Sequence, residues 1–123
     1  MGSRWPLGLA SSSPPSLIET VLDAAELRSM FGVVMSTEQV ARGKPAPDIY
    51  LEVAARLGVP ATACAAVEDS SNGLRAAEAA GCAVIAVPRP AYPPAPDALK
   101  AARLVLPSLA DLTVDAVAAL DAD

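Results

Sequence analysis

Two adjacent carboxylates, Glu68 and Asp69, directly follow the apolar run 63–67, which predicts a buried strand. Neighbouring carboxylates repel each other unless a cation or a proton relieves the repulsion. Mg²⁺ suits such a doublet, because it binds one or two carboxylates and keeps several of its waters. The pattern therefore favours a metal site at a strand end. The alternative is structural: Asp69 or Ser70 caps the next helix, and Glu68 is solvated.

Lys44 is one of two lysines in a chain that carries seven arginines. The residues that follow it, Pro45-Ala46-Pro47, restrict the backbone on its carboxyl side. A restricted backbone holds the ammonium group at one place, where it serves as a point charge for a phosphate or a carboxylate. The alternative is an ordinary exposed loop lysine.

Three serines, Ser11, Ser12 and Ser13, lie between a predicted strand and a predicted helix. Free backbone amides and the positive end of the helix dipole favour an anion at such a position, and a hydroxyl adds a donor. Serines are also common helix caps, so the pattern alone leaves both interpretations open.

All three groups follow predicted strands, and the carboxyl ends of parallel strands meet at one edge of a sheet. An anion site, a fixed cation and a metal-binding carboxylate pair together suit phosphoryl transfer. The sequence therefore predicts a phosphoryl-transfer site that contains Ser11, Lys44, Glu68 and Asp69.

The elements that must position these residues are short apolar runs that alternate with helical patterns. This alternation predicts an α/β fold, a Rossmann-like doubly wound parallel sheet in one domain over residues 1–123. Strands are predicted at 7–10, 31–35, 63–67, 83–87 and 104–106, and helices at 14–25, 47–57, 70–80, 97–102 and 109–120.

Composition excludes several kinds of protein. The chain has no histidine, which removes a Ser-His-Asp triad, a Cys-His pair and most zinc sites within it. A net charge of −5 argues against a nucleic-acid partner, and no apolar run approaches the ~20 residues that span a bilayer. Cys64 and Cys82 lie in apolar runs and are interpreted as core residues. These features predict a cytoplasmic protein without a membrane partner.

Three segments resemble motifs of a known superfamily. Residues 9–13 (Leu-Ala-Ser-Ser-Ser), 40–50 (Val-Ala-Arg-Gly-Lys-Pro-Ala-Pro-Asp-Ile-Tyr) and 67–73 (Val-Glu-Asp-Ser-Ser-Asn-Gly) are similar to the second, third and fourth motifs of the haloacid-dehalogenase-like (HAD) superfamily. They look most like its β-phosphoglucomutase-like and sugar-phosphate phosphatase branch. The similarity extends from about residue 7 to residue 109.

The resemblance implies a role for each matched residue. Ser11 would hydrogen-bond the transferring phosphoryl group, with Ser12 and the backbone around it as further donors. Lys44 would neutralise that group and orient the nucleophile. Glu68 and Asp69 would hold Mg²⁺, with Asp69 the more direct ligand. The implied substrate is a small phosphorylated metabolite.

The sequence departs from this family at its first motif, Asp-x-Asp-Gly-Thr, which supplies the aspartate nucleophile. The only Asp-x-Asp here is Asp121-Ala-Asp123, without Gly-Thr after it, and the family's cap domain is also missing. Without a nucleophile the isolated chain is expected to be inactive. The family's first-motif strand lies between the strands of the second and fourth motifs, so those two strands either close up, or accept another copy, or leave a marginal fold. Self-association through the incomplete sheet is predicted.

Three interpretations remain open at this point. The chain is a portion of a Mg²⁺-dependent phosphatase or phosphomutase, or a non-catalytic relic that binds Mg²⁺ and phosphate or completes a partner chain. The third is an unrelated doubly wound domain, such as a receiver or a nucleotide-binding domain. The chain lacks the early acidic pair of a receiver and the GxGxxG of a dinucleotide-binding fold, which disfavours this third interpretation.

Overall fold

The computed structural model describes residues 7–11, 16, 18, 31–88, 91, 93–108 and 111–112. Of the helix predicted at 14–25, only Ser16 and Ile18 are described; both are helical, and Ile18 is buried. Ser12 and most of the helix predicted at 109–120 lie outside the described residues.

The first sheet consists of two parallel strands, β1 (Gly8–Ser11) and β2 (Val33–Ser36). Their register sets Gly8 opposite Val33 and Ser11 opposite Ser36, so both strands end in serine at the same edge. The strand predicted at 31–35 begins two residues later than expected. Gly32 instead donates its N–H to Leu7 O at 2.8 Å, which leads the chain into the ladder.

Helix α1 (Asp48–Leu57) packs on this sheet through a buried stripe of Ile49, Val53 and Ala54. The helix ends at Gly58, whose φ of 80° is the left-handed conformation that glycine adopts without a steric penalty. A Cβ on Gly8 would lie 2.5 Å from Val53 Cγ1. Strand β1 can therefore approach α1 closely only because Gly8 has no side chain.

The second sheet has three parallel strands in the order β3 (Ala65–Glu68), β4 (Ala83–Ala86) and β5 (Leu104–Val105). Glu68 lies opposite Ala86 at the carboxyl end of β3. The strand predicted at 63–67 begins later, because 61–63 form a 3₁₀ turn in which Cys64 donates its N–H to Ala61 O.

Helix α2 (Ser71–Ala80) connects β3 to β4, and its boundaries agree with the prediction. The Ser70 hydroxyl caps it by accepting the Gly73 N–H at 3.1 Å, and Gly81 ends it with a φ of 89°. The helix predicted at 97–102 is shorter, α3 (Pro96–Leu99).

The described strands form two separate sheets rather than one, with β1 and β3 unpaired with each other. The prediction of parallel α/β topology is confirmed. Closure of these two strands onto each other, one of the three outcomes considered above, is wrong. Each sheet has its own buried cluster: Met35, Ile49 and Val53 in the first, and Ala66, Leu74, Ala77, Val84, Ala86 and Ala98 in the second.

Tyr50, in the first turn of α1, packs against both buried clusters. One aromatic side chain therefore connects the packing of the two sheets. Within the described part of the chain, no helix is long and apolar enough to cross a bilayer.

Candidate functional site

Four of the predicted site residues lie in the described part of the chain, at the carboxyl ends of β1 and β3 or in contact with them; Ser12 lies outside it. Ser11 is the last residue of β1, and Glu68 is the last residue of β3. Asp69 directly follows Glu68, and Lys44 extends toward both strand ends from the loop before α1.

Lys44 links the ends of the two sheets. Its Nζ donates to Glu68 Oε2 at 2.7 Å and to the backbone carbonyl of Ala10, the neighbour of Ser11, at 3.3 Å. The side chains of Lys44 and Glu68 are only 10% and 9% exposed. Lys44 is therefore not an exposed loop lysine, and Glu68 is not solvated.

The loop that carries Lys44 is fixed from both sides. Ala46 donates its N–H to Gly43 O at 3.0 Å, which closes a turn around Lys44. On the outer face, Arg42 Nη2 lies 2.9 Å from Asp48 Oδ1 and joins the loop to the start of α1. The Arg42 side chain is 71% exposed and faces solvent.

Tyr50 is a member of the site that the sequence analysis did not identify. Its hydroxyl donates to Glu68 Oε2, the oxygen that also accepts from Lys44, and Lys44 Nζ lies 5.4 Å from the centre of its ring. Burial, and then the nearby charge of Glu68, raise the pKa of Tyr50 well above its usual value. The available signal was its position in the first turn of the helix that follows Lys44, where a buried tyrosine needs a partner for its hydroxyl.

Gly73 leaves the space that the Glu68 carboxylate occupies. A Cβ built on Gly73 would overlap the Glu68 carboxylate atoms. Because Gly73 has no side chain, the Glu68 side chain can turn back toward Lys44. This explains in physical terms why glycine follows the acidic doublet by four positions.

Lys44 balances the negative charge of the acidic doublet Glu68-Asp69. Repulsion between Glu68 and Asp69 is already relieved by the Lys44 ammonium, so charge balance alone does not require a metal ion. Mg²⁺ takes hard oxygen ligands and completes its shell with water and phosphate oxygens. Within the described ranges, no three His, Cys, Asp or Glu side chains cluster as a metal site. The adjacent carboxyl residues Glu68 and Asp69 at the end of β3 are oxygen donors of the kind that Mg²⁺ takes, so these residue types fit part of a Mg²⁺ site.

The two cysteines precede β3 and β4 and so lie at the opposite edge of the second sheet. Both are half-buried free thiols. Burial raises the pKa of Cys64, and burial together with the neighbouring Cys64 raises the pKa of Cys82 to about 11. Thiols that hold their protons in this way are unreactive, which agrees with the interpretation of both as packing residues.

Comparison of the sequence with known proteins identifies the family to which this chain is similar. The model of the haloacid dehalogenase-like hydrolases matches residues 2–81. Protein CbbY of Cupriavidus necator is 42% identical over 109 residues, which cover 86% of this chain and 42% of that protein. Hexitol phosphatase B of Escherichia coli is 45% identical over 84 residues, which cover 68% of this chain and 38% of that protein. The chain therefore spans less than half the length of these relatives.

Comparison with solved structures finds proteins of the same kind as these sequence relatives. A β-phosphoglucomutase from Clostridium difficile superimposes with a TM-score of 0.80 at 26% identity, over 95% of this chain and 49% of that one. CbbY from Rhodobacter sphaeroides, solved in complex with phosphate, gives a TM-score of 0.78 at 34% identity, over 87% of this chain and 48% of that one. With its parallel α/β topology and the family model over most of its length, the chain belongs to the haloacid dehalogenase-like hydrolases.

Proposed function

We propose that this chain is a portion of a Mg²⁺-dependent phosphoryl-transfer enzyme that acts on small phosphate esters, sugar phosphates in particular. The observation that carries the proposal is the position of the Lys44 ammonium, 2.7 Å from Glu68 Oε2 and 3.3 Å from the Ala10 carbonyl beside Ser11. A largely buried cation at the meeting point of two strand ends is suited to a phosphate dianion. The phosphatases and the phosphomutase among the relatives support the same class of substrate.

Each residue contributes a separate part of the chemistry. The Ser11 hydroxyl, at the end of β1, is a donor for a phosphoryl oxygen. Lys44 supplies positive charge that becomes more effective as water is excluded, because its side chain is only 10% exposed. Ser12, which lies outside the described residues, is proposed as a further donor. Asp69 and Glu68 would hold Mg²⁺, which when bound supplies charge neutralisation at the phosphate oxygens.

The chain on its own is proposed to bind phosphate esters without turning them over. Phosphoryl transfer through this family's route needs an aspartate nucleophile, and no Asp-x-Asp-Gly-Thr occurs in the sequence. Binding residues stabilise charge but do not form the covalent intermediate.

The incomplete sheet supports a proposal about association. β1 and β3 belong to different sheets, and Val67 in β3 is 39% exposed despite being apolar. Strands with free ladder groups and apolar side chains readily pair with another chain. We therefore propose that the isolated chain self-associates through these strands. The second functional candidate, a cytoplasmic non-catalytic module that completes a partner chain, rests on the same observation.

A phosphatase assay on a broad panel of phosphate esters, with and without Mg²⁺, tests the proposal. It compares this chain with a version extended upstream by the preceding codons. We expect hydrolysis or phosphoryl transfer only in the extended version and only with Mg²⁺. Activity of the isolated chain, or inactivity of both versions on every ester despite proper folding, contradicts the proposal.

A further inference from the structure

We propose that Tyr50 is a positioning residue, whose hydroxyl fixes Glu68 as the partner of Lys44 and thereby sets where the lysine ammonium lies. The inference rests on the proposed function for what the ammonium is positioned to bind. Its geometry is independent of that function.

The first support is the shared acceptor. Glu68 Oε2 accepts both the Tyr50 hydroxyl and the Lys44 ammonium, the latter at 2.7 Å. Two donors on one oxygen restrict the rotation of the carboxylate far more than one flexible lysine does, because a lysine carries its charge on four rotatable bonds. The tyrosine has two torsions and a rigid ring. Tyr50 therefore sets the orientation of the Glu68 carboxylate, and the Lys44 ammonium takes its position from that carboxylate.

The second support is that Tyr50 contacts both members of the ion pair. Lys44 Nζ lies 5.4 Å from the Tyr50 ring centre, within the range of a cation–π contact. The ring and the hydroxyl of one residue thus hold the cation and its carboxylate partner together.

The third support is the rigidity of Tyr50 itself. It lies in the first turn of α1 and packs against the buried clusters of both sheets. The Glu68 carboxylate occupies the space where a Cβ on Gly73 would lie, next to the first turn of α2. Glu68 is consequently confined between a packed aromatic ring and a helix backbone, with its Oε2 directed at Lys44.

The role of the hydroxyl is separable from that of the ring. Tyr50→Phe removes one of the two described donors to Glu68 Oε2 and keeps the packing of the ring, so the carboxylate turns more often away from Lys44. The Lys44 ammonium is then less confined and more accessible to a reagent.

The test is amine labelling of the full chain with an acetylating reagent, read by mass spectrometry. The chain contains two lysines, so exposed Lys100 is an internal reference for Lys44. We expect the Lys44-to-Lys100 labelling ratio to rise about tenfold in Tyr50→Phe, the lower end of the effect expected from the loss of one hydrogen bond to a charged group. Leu51→Ala, an exposed neighbour on the same helix, is the matched control and leaves the ratio unchanged.

A double-mutant cycle identifies the route of the effect. In Glu68→Gln the ion pair is already lost, so adding Tyr50→Phe raises the ratio no further if Tyr50 acts through Glu68. An unchanged ratio in folded Tyr50→Phe, an additive effect in the cycle, or loss of folding on removal of the hydroxyl alone each overturns the proposal. Labelling needs neither phosphate nor Mg²⁺, so it fails or succeeds independently of the proposed function.

Discussion

Lys44 Nζ lies 2.7 Å from Glu68 Oε2, although the two residues are 24 positions apart in sequence. This contact connects the loop before α1, which packs on the first sheet, to the last residue of β3 in the second. The ion pair is therefore part of both the candidate site and the connection between the two sheets. Substitutions at either residue should affect stability as well as binding.

Lys44→Met should destabilise the chain by about 1–3 kcal/mol, because it leaves the largely buried Glu68 carboxylate with one donor fewer. Urea unfolding measures the change. Lys100→Met is the matched control: Lys100 is exposed, and its replacement should change the free energy of unfolding by less than about 0.5 kcal/mol. Equal changes in the free energy of unfolding for the two substitutions would show that the Lys44–Glu68 ion pair does not stabilise the fold.

Gly73→Ala should destabilise the protein, against the usual trend. Alanine in a helix is normally more stable than glycine by about 1 kcal/mol, but here its Cβ overlaps the Glu68 carboxylate. Thermal unfolding measures the loss, and lysine labelling should reveal a more accessible Lys44. Gly43→Ala is the control, since its Cβ would meet Thr37 Cβ at an ordinary 3.6 Å. A stabilised Gly73→Ala chain is incompatible with the described position of Glu68.

Stability should fall as the pH rises from about 9 to about 11. The pKa of Cys82 is raised from 9.0 to about 11 in the fold, so the folded chain keeps a proton that the unfolded chain releases. This stabilisation is fully present below pH 9 and is lost as the pH approaches 11. The pKa of Tyr50 is raised as well, chiefly by burial, which continues the decline above pH 10.

Chemical unfolding at a series of pH values checks this dependence. The matched variant is Cys82→Ala, which removes the Cys82 thiol with its raised pKa and should show a shallower decline between pH 9 and 11. Parallel curves for the two proteins would mean that Cys82 does not retain its proton in the fold.

The helix boundaries were largely predictable from local chemistry. Gly58 and Gly81 marked the ends of α1 and α2, and Ser70 marked the start of α2, because caps depend on neighbouring residues. The 3₁₀ turn Thr37–Gln39 was missed, although Ser36 and Gln39 form a capping box with recognisable spacing. Strand limits were less accurate, since they are set by partners distant in sequence.

The site was predictable as a set of residues but not as a network. Spacing and resemblance selected Lys44 and Glu68, yet their direct contact depends on how the two sheets pack. Tyr50 was overlooked because its sequence environment is that of a core residue, and its polar end acquires a partner only through tertiary structure. Repulsion between Glu68 and Asp69 was not by itself enough to predict a metal ion for the same reason, because the lysine that relieves it lies 24 positions from Glu68 in sequence.

Asp69→Asn should abolish Mg²⁺ binding by the chain while leaving its fold intact, because it removes the charge of the proposed direct ligand. Calorimetric titration with Mg²⁺ in the presence of inorganic phosphate measures the loss. Asp97→Asn is the control, since Asp97 is 72% exposed and paired with Arg75 on the surface. Equal Mg²⁺ affinity in the wild-type chain, Asp69→Asn and Asp97→Asn would show that Asp69 is not a ligand in the proposed metal site.

The central claim is that Ser11, Lys44, Glu68 and Asp69 form one site for a phosphoryl group and Mg²⁺. The most direct measurement is calorimetric binding of inorganic phosphate, with and without Mg²⁺, to the wild-type chain, Lys44→Met and Lys100→Met. We predict Mg²⁺-dependent binding that Lys44→Met weakens about 10- to 100-fold, the loss expected for one charged hydrogen bond, and that Lys100→Met leaves unchanged. Phosphate binding that is independent of Mg²⁺ and equally affected by both substitutions would contradict the claim.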